Sequence, residues 1–159
     1  MKIAIYPGSF DPITLGHLDI IERAAACFDK VYVCVMVNCD KKQPMFTSEK
    51  RLELIQKSIA HIPNAEAENF SGLLADYARQ KGANILIKGV RNVTDFDSEM
   101  QMARINRGIE PTLETVLLPA SAEFAHFSST MAREMIRYHQ PLEKYVPAAV
   151  AEELMKGRY

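Results

Sequence analysis

Short runs of β-branched and aliphatic residues alternate along this chain with stretches of helical periodicity, and nothing else in the sequence restricts the possible folds as strongly. Residues 2–6 (KIAIY) and 31–37 (VYVCVMV) read as strands whose continuous apolar character suits a parallel sheet covered on both faces. Between them Leu18, Ile21, Ala25 and Phe28 recur at helical spacing, which makes a βαβ unit. Thr47 is placed to cap a second helix carrying Leu52, Ile55, Ile59 and Ile62 on one stripe and stopping near Pro63. The order continues with a weaker strand at 65–70, a helix at 72–81 ending at Gly82, and a strand at 84–88 (NILIK). A helix holding Phe96, Met100 and Ala103 then leads to a strand at 114–118 (ETVLL). The remainder is helical, over 129–138 and again around Val146, Val150 and Leu154.

Five strands with intervening helices predict a Rossmann-like α/β fold, a doubly wound five-stranded parallel sheet with helices on both faces and right-handed crossovers. No linker-like stretch interrupts it. A length of 159 residues suits one domain, 1–159, able to bury roughly 70% of the surface of its unfolded chain. The composition, 48% hydrophobic and 25% charged with a net charge of −1, is that of a globular protein. Neither half carries a basic excess, so composition gives no support to nucleic-acid binding. Cys27, Cys34 and Cys39 are odd in number and lack CxxC spacing, which argues against a disulfide framework or a zinc knuckle and suits a reducing cytoplasm. The apolar run before Pro7 is too short for a signal peptide, and no run approaches the ~18 residues of a membrane span, so no membrane association is expected.

In such a sheet ligands bind beyond the carboxyl ends of the strands, so the loops after residues 6, 37, 88 and 118 are the ones to inspect. The first runs from Pro7 through Gly8, Ser9, Phe10, Asp11, Pro12 and Thr14 to Gly16 and His17. Glycine lets main chain approach a ligand, Ser9 can donate to a phosphate oxygen, and amides at a helix start favour anions. The plain alternative is a loop with a satisfied histidine. The second loop holds Asn38, Lys41 and Lys42, either a solvated surface or mobile point charges able to meet a polyphosphate. The third brings Lys88, Gly89, Val90 and Arg91 together with Asp95, Asp97 and Glu99. Its two cations can hold phosphates, whereas Asp95 and Asp97 read better as helix capping and dipole complement than as a metal site. The fourth contains Phe124, Ala125, His126, Phe127, Ser128, Ser129 and Thr130, then Arg133, and suits nucleotide phosphates or a plain Ser/Thr cap equally. The P-loop, the GxGxxG fingerprint, the GxSxG elbow and HExxH are all missing from the sequence.

Taken together, YPGSFDPITLGH (6–17), the lysine loop ending at Met45 and Phe46, IKGVRN with Phe96 and Glu99 (87–99), and FSST with Arg133 (127–133) closely resemble the phosphopantetheine adenylyltransferase family of the HxGH nucleotidyltransferases. Thr14 to His17 occupy the HxGH motif, with Thr in its first position. The resemblance covers nearly the whole chain and implies transfer of the adenylyl group of ATP to 4′-phosphopantetheine. Dephospho-coenzyme A and pyrophosphate are then the products, formed by in-line attack without a covalent intermediate. It implies catalytic roles for His17, Ser9 and Lys41, with Lys42 as the alternative lysine. ATP would be bound by Ser9, Phe10, His17, Gly89, Val90, Arg91, Glu99 and residues 124–130. The acceptor would be bound by Ser9, Lys41, Leu74 and Lys88, where Lys88 stands at a position that is usually Arg. Magnesium is expected mainly on the ATP phosphates, with no metal ligand in the protein. Coenzyme A as feedback inhibitor, a homo-hexamer and a cytoplasmic location complete the implied picture. Alternatives are a nucleotidyltransferase for nicotinate mononucleotide or glycerol 3-phosphate, or a non-catalytic nucleotide sensor.

Overall fold

The structure, a computed structural model, describes residues 1–37, 44–157 and 159. Elements follow in the order β1 (Ile3–Gly8), α1 (Leu15–Cys27), β2 (Lys30–Met36), α2 (Ser48–Ser58), β3 (Ala65–Phe70), α3 (Leu74–Lys81), β4 (Ile85–Val90), α4 (Val93–Ile109), β5 (Glu114–Pro119), α5 (Ser129–Arg137) and α6 (Ala148–Leu154). The strands form one parallel five-stranded sheet in the order β3-β2-β1-β4-β5. The chain winds outward from β1 to β3, then crosses back to β4, so its direction reverses between β1 and β4. This is the Rossmann-like doubly wound α/β fold that the alternation predicts.

Which face each strand residue joins follows from the two-residue period of a strand. Ala4 and Tyr6 of β1, Val31, Val33 and Val35 of β2 and Ile87 of β4 enter one core, while Ile5, Cys34 and Leu86 enter the other. The first core is covered by α1, α2, α5 and α6, through residues such as Ile21, Ile55, Ala132 and Val150. The second is covered by α3 through Ala75, Tyr77 and Ala78. Helix α4 lies against β4, β5 and α3, with Asn106 as its buried residue. Cys27 ends α1 exposed and Cys34 is buried in β2, both as free thiols.

Two differences from the sequence reading matter for the site. Strands β1 and β4 run on to Gly8 and Val90, so Pro7, Gly8, Gly89 and Val90 belong to strand ends instead of loops. Yet β1 registers with β4 only at Ala4–Ile85 and Ile5–Leu86, whereas β4 and β5 pair over six residues. Pro7 has no N–H with which to continue a ladder, and beyond Ile5 the two central strands part. The opening at the reversal of strand order is thus built into the sheet. In α2 the helix closes at Ser58, earlier than Pro63, and the buried stripe holds Arg51, Leu54, Ile55 and Ser58.

Because α1 must stay seated for the opening to keep its shape, its core contact is a sensitive point. Ile21 is fully buried, and Ile21→Ala should cost about 2–5 kcal/mol. Urea unfolding at neutral pH would measure it; a loss below about 1 kcal/mol would mean that the helix is held by something other than this core.

Candidate active site

The parting of β1 from β4 leaves a cavity of about 390 Å³, within the range of small-molecule sites. One wall is Tyr6 to Phe10 with Thr14, Gly16 and His17, the other is Lys88, Gly89 and Arg91 with Asp95 and Glu99 from α4. Phe124 and the start of α5, Phe127 to Thr130, close it with Arg133.

His17 lies in the first turn of α1, and its geometry is set by the helix cap. Thr14 is the N-cap in extended conformation, and its Oγ1 accepts the His17 main-chain N–H at 3.3 Å. In return His17 Nδ1 accepts the Thr14 main-chain N–H at 3.0 Å, completing a capping box with histidine in the place usually held by glutamate. A main-chain amide only donates, so Nδ1 is the acceptor and the ring proton resides on Nε2. Burial first, and then the nearby Arg91 cation, push the imidazole pKa down to about 4. His17 is therefore a neutral donor at physiological pH. The Phe10 ring packs edge-on against it, with centroids 5.0 Å apart. Gly16 lets the fourth loop come close, because a Cβ there would lie 3.3 Å from the Phe124 Cβ.

The loop between β1 and α1 is held by side chains directed at its main chain. Arg133 Nη1 donates to the Asp11 carbonyl at 2.8 Å and Ser129 Oγ to the Pro12 carbonyl at 2.8 Å. The buried Asp11 carboxylate accepts the amides of Met45 and Phe46, each at 2.9 Å. Phe10 takes a positive φ of 49°, uncommon for a bulky residue, and its ring would meet a Cβ on Gly8 at 3.0 Å. The chain after β5 is tied to α1 in the same manner. Ser121 Oγ donates to Asp19 at 2.8 Å, and Arg23 reaches both Asp19, at 3.2 Å, and the Pro119 carbonyl, at 2.8 Å.

Two of the cleft's cations each face a carboxylate. Lys88 Nζ lies 3.3 Å from Glu99, and Arg91 Nε donates to Asp95 at 3.1 Å. Burial, with the Glu99 and Asp19 carboxylates, pushes the Tyr6 phenol up, so it stays protonated. Among the described residues no group of three or more His, Cys, Asp or Glu is placed to hold a metal ion. With Asp95 and Glu99 already facing cations, this donor set fits a cation that arrives on a polyphosphate with its own waters.

Of the residues singled out from the sequence, Ser9, Phe10, His17, Lys88, Gly89, Arg91, Glu99, Phe124, Phe127, Ser128, Ser129 and Thr130 line this one cavity. Val90, Ala125, His126 and Leu74 are not in its lining. The Val90 carbonyl accepts the Ala120 N–H at 2.8 Å, the His126 ring faces Tyr145 at 6.2 Å, and Leu74 packs against the second core. Asn38, Lys41 and Lys42 lie outside the described residues. The cap of α4 is Asn92, whose side chain accepts the Asp95 N–H, so Asp95 complements the dipole from the first turn instead of capping. Ser128 caps α5 by accepting the Met131 N–H. Sequence reasoning missed Asp19, Ser121 and Arg51. A Ser–Asp contact across 102 residues leaves no local signal.

A family model described as cytidylyltransferase-like matches residues 5–135. A phosphopantetheine adenylyltransferase of Synechococcus elongatus is 50% identical over 151 residues, 95% of this chain and 90% of that protein. Proteins of the same name from Alkaliphilus metalliredigens and Caldanaerobacter subterraneus are 47% and 44% identical, each across 98% of this chain and 99% and 97% of their own. Among solved structures, a putative nicotinate-nucleotide adenylyltransferase from Vibrio parahaemolyticus superposes with a TM-score of 0.73 at 20% identity, covering 98% of this chain and 93% of that one. That likeness concerns the fold.

The capping box makes a direct prediction. Thr14→Ala removes the acceptor of the His17 N–H and should lower stability by about 1 kcal/mol, whereas Thr14→Ser should stay within a few tenths. Urea midpoints of the three proteins compare them. Equal losses in both variants would show that the buried methyl, and not the hydroxyl, holds this helix start.

Proposed function

Because the chain belongs to the phosphopantetheine adenylyltransferase family, within the cytidylyltransferase-like proteins, we propose that it transfers the adenylyl group of ATP to 4′-phosphopantetheine. The whole of 1–159 acts as one nucleotidyltransferase domain, and the products are dephospho-coenzyme A and pyrophosphate. The observation that carries this reading is the convergence on one cleft of a neutral Nε2–H donor, His17, with Lys88, Arg91 and the starts of α1 and α5.

In the reaction a phosphate oxygen of the acceptor attacks the α-phosphorus in line. The bond from that phosphorus to the β-bridging oxygen breaks and pyrophosphate leaves with the electron pair. No covalent bond to the protein forms, so the protein contributes positioning and charge stabilisation. His17 donates from Nε2 to a non-bridging α-phosphate oxygen as charge grows there, and it stays neutral throughout. Ser9 and Lys41, with Lys42 as the alternative, orient the attacking phosphate, and Lys88 steadies it as a point charge. Leu74, which stands outside the cavity lining, contacts the pantetheine arm only where the acceptor extends beyond that cavity. ATP is held by Ser9, Phe10, His17, Gly89, Arg91, Glu99, Phe124 and Phe127 to Thr130, which line the cleft, while Val90, Ala125 and His126 stand outside that lining and support it from the neighbouring backbone. A magnesium ion held on the ATP phosphates would supply charge neutralisation for the leaving pyrophosphate.

A homo-hexamer is what the family implies, and the apolar residues that α4 leaves exposed, among them Val93, Phe96, Ile105 and Ile109, suit a contact between copies of the chain. Coenzyme A, which contains the product's whole framework, acts as feedback inhibitor. A cytoplasmic location agrees with the free thiols on Cys27 and Cys34.

The test supplies MgATP with 4′-phosphopantetheine, nicotinate mononucleotide or glycerol 3-phosphate and measures pyrophosphate release. Release is expected with 4′-phosphopantetheine alone. Release with either of the others and none with 4′-phosphopantetheine would overturn the assignment.

A further inference from the structure

Ser9 and Phe10 line the cleft, and their shared peptide is fixed from outside it. Arg51, in the first turns of α2, donates from Nη1 to the Ser9 carbonyl at 2.7 Å. Its residue is 6% exposed, and among the described residues its buried Nε has no hydrogen-bond partner. Among the described residues the Arg51 side chain makes no ion pair, and the carboxylate of Asp11, two positions beyond Ser9, is taken up by the Met45 and Phe46 amides. A buried guanidinium without a paired carboxylate weighs against folding, and an apolar side chain of similar length would fill the same space more favourably. The charge is thus better explained by what it does to the loop than by stability.

In a trans peptide the C=O and the following N–H point in opposite directions. Holding the Ser9 carbonyl against α2 therefore turns the Phe10 N–H the other way, toward the side where Ser9 and Phe10 border the cleft. That N–H meets no acceptor among the described residues. The positive φ of Phe10 is a conformation that needs such external support. Polarising the carbonyl also strengthens the amide as a donor.

We propose that Arg51 is a positioning residue that aims the Phe10 N–H at a polyphosphate anion, of the triphosphate or pyrophosphate class, bound in this cleft. The proposal rests on the nucleotidyl-transfer reading above, and it needs no particular acceptor. Arg51 acts through the Ser9–Phe10 peptide, without itself lining the cavity.

The experiment titrates the full-length protein calorimetrically with inorganic pyrophosphate and, separately, with adenosine. Arg51→Met should bind pyrophosphate about tenfold or more weakly, the scale of a lost charge-assisted hydrogen bond, while binding adenosine as the wild type does. Its melting temperature should hold or rise. Arg51→Lys, which keeps the charge but loses the planar fork, should fall between the two. If Arg51→Met does not fold, Arg51→Lys carries the test: weaker pyrophosphate with unchanged adenosine supports the proposal. Pyrophosphate binding at wild-type strength in the variant overturns it. Equal weakening of pyrophosphate and adenosine does so too, since that marks a residue needed only for the fold. No acceptor enters either titration, so a wrong acceptor in the assay of pyrophosphate release leaves this result untouched.

Discussion

The Thr14 main-chain N–H donates to His17 Nδ1 at 3.0 Å, and most of what the cleft can do follows from that bond. It leaves the proton on the far nitrogen, and it ties the ring to the first turn of α1, so the donor moves only with the helix. Burial keeps the ring uncharged, with its pKa near 4. In the folded state the neutral form is favoured, while the unfolded chain takes up a proton near the usual 6.5. Stability from this group is therefore present above about pH 6.5 and is lost as pH falls toward about 4. A histidine built this way gives up acid–base chemistry for a fixed hydrogen bond. Phosphoryl-type transfer asks for that, because its barrier is lowered by donors already in place where charge develops.

The surrounding loops obey the same rule. Side chains from distant elements are directed at main chain: Arg51 at Ser9, Arg133 at Asp11, Ser129 at Pro12, Arg23 at Pro119, and the Asp11 carboxylate at two amides. Each bond fixes a carbonyl or an amide and so the direction of its peptide partner. Loops held by their main chain keep their amides aimed without a bound ligand. The sheet supplies the space, since β1 and β4 register only at Ala4–Ile85 and Ile5–Leu86 and part beyond Ile5. A fully laddered pair of central strands would close the cleft.

The fold was legible because it rests on period. Alternating apolar runs and helical stripes set five strands and their order along the chain, and continuous runs such as 31–37 marked strands covered on both faces. Boundaries were less so. Pro7 and Gly89 look like loop residues, and only pairing with β2 and β5 makes them strand ends. Most of the site was legible through Ser9, Phe10, His17, Lys88, Arg91 and 127–130, all lining one cavity. What the sequence hid were contacts between distant positions. Arg51 stands on a helix whose periodicity can be read, but a charged residue signals the solvent face, and nothing local indicates that this one turns inward. Asp19 and Ser121, 102 residues apart, meet only because α1 and the turn after β5 share one end of the sheet.

The chemistry of the cleft turns on the state of one ring. Nitrogen-15 NMR of the histidine side chains, followed from pH 7.5 down to 5, reads both tautomer and charge for His17. The expected result is the Nε2–H tautomer with Nδ1 unprotonated and no conversion to imidazolium over that range. An Nδ1–H tautomer, or titration with a midpoint near 6.5, would contradict it, because the Thr14 amide would then not be bonded to that nitrogen.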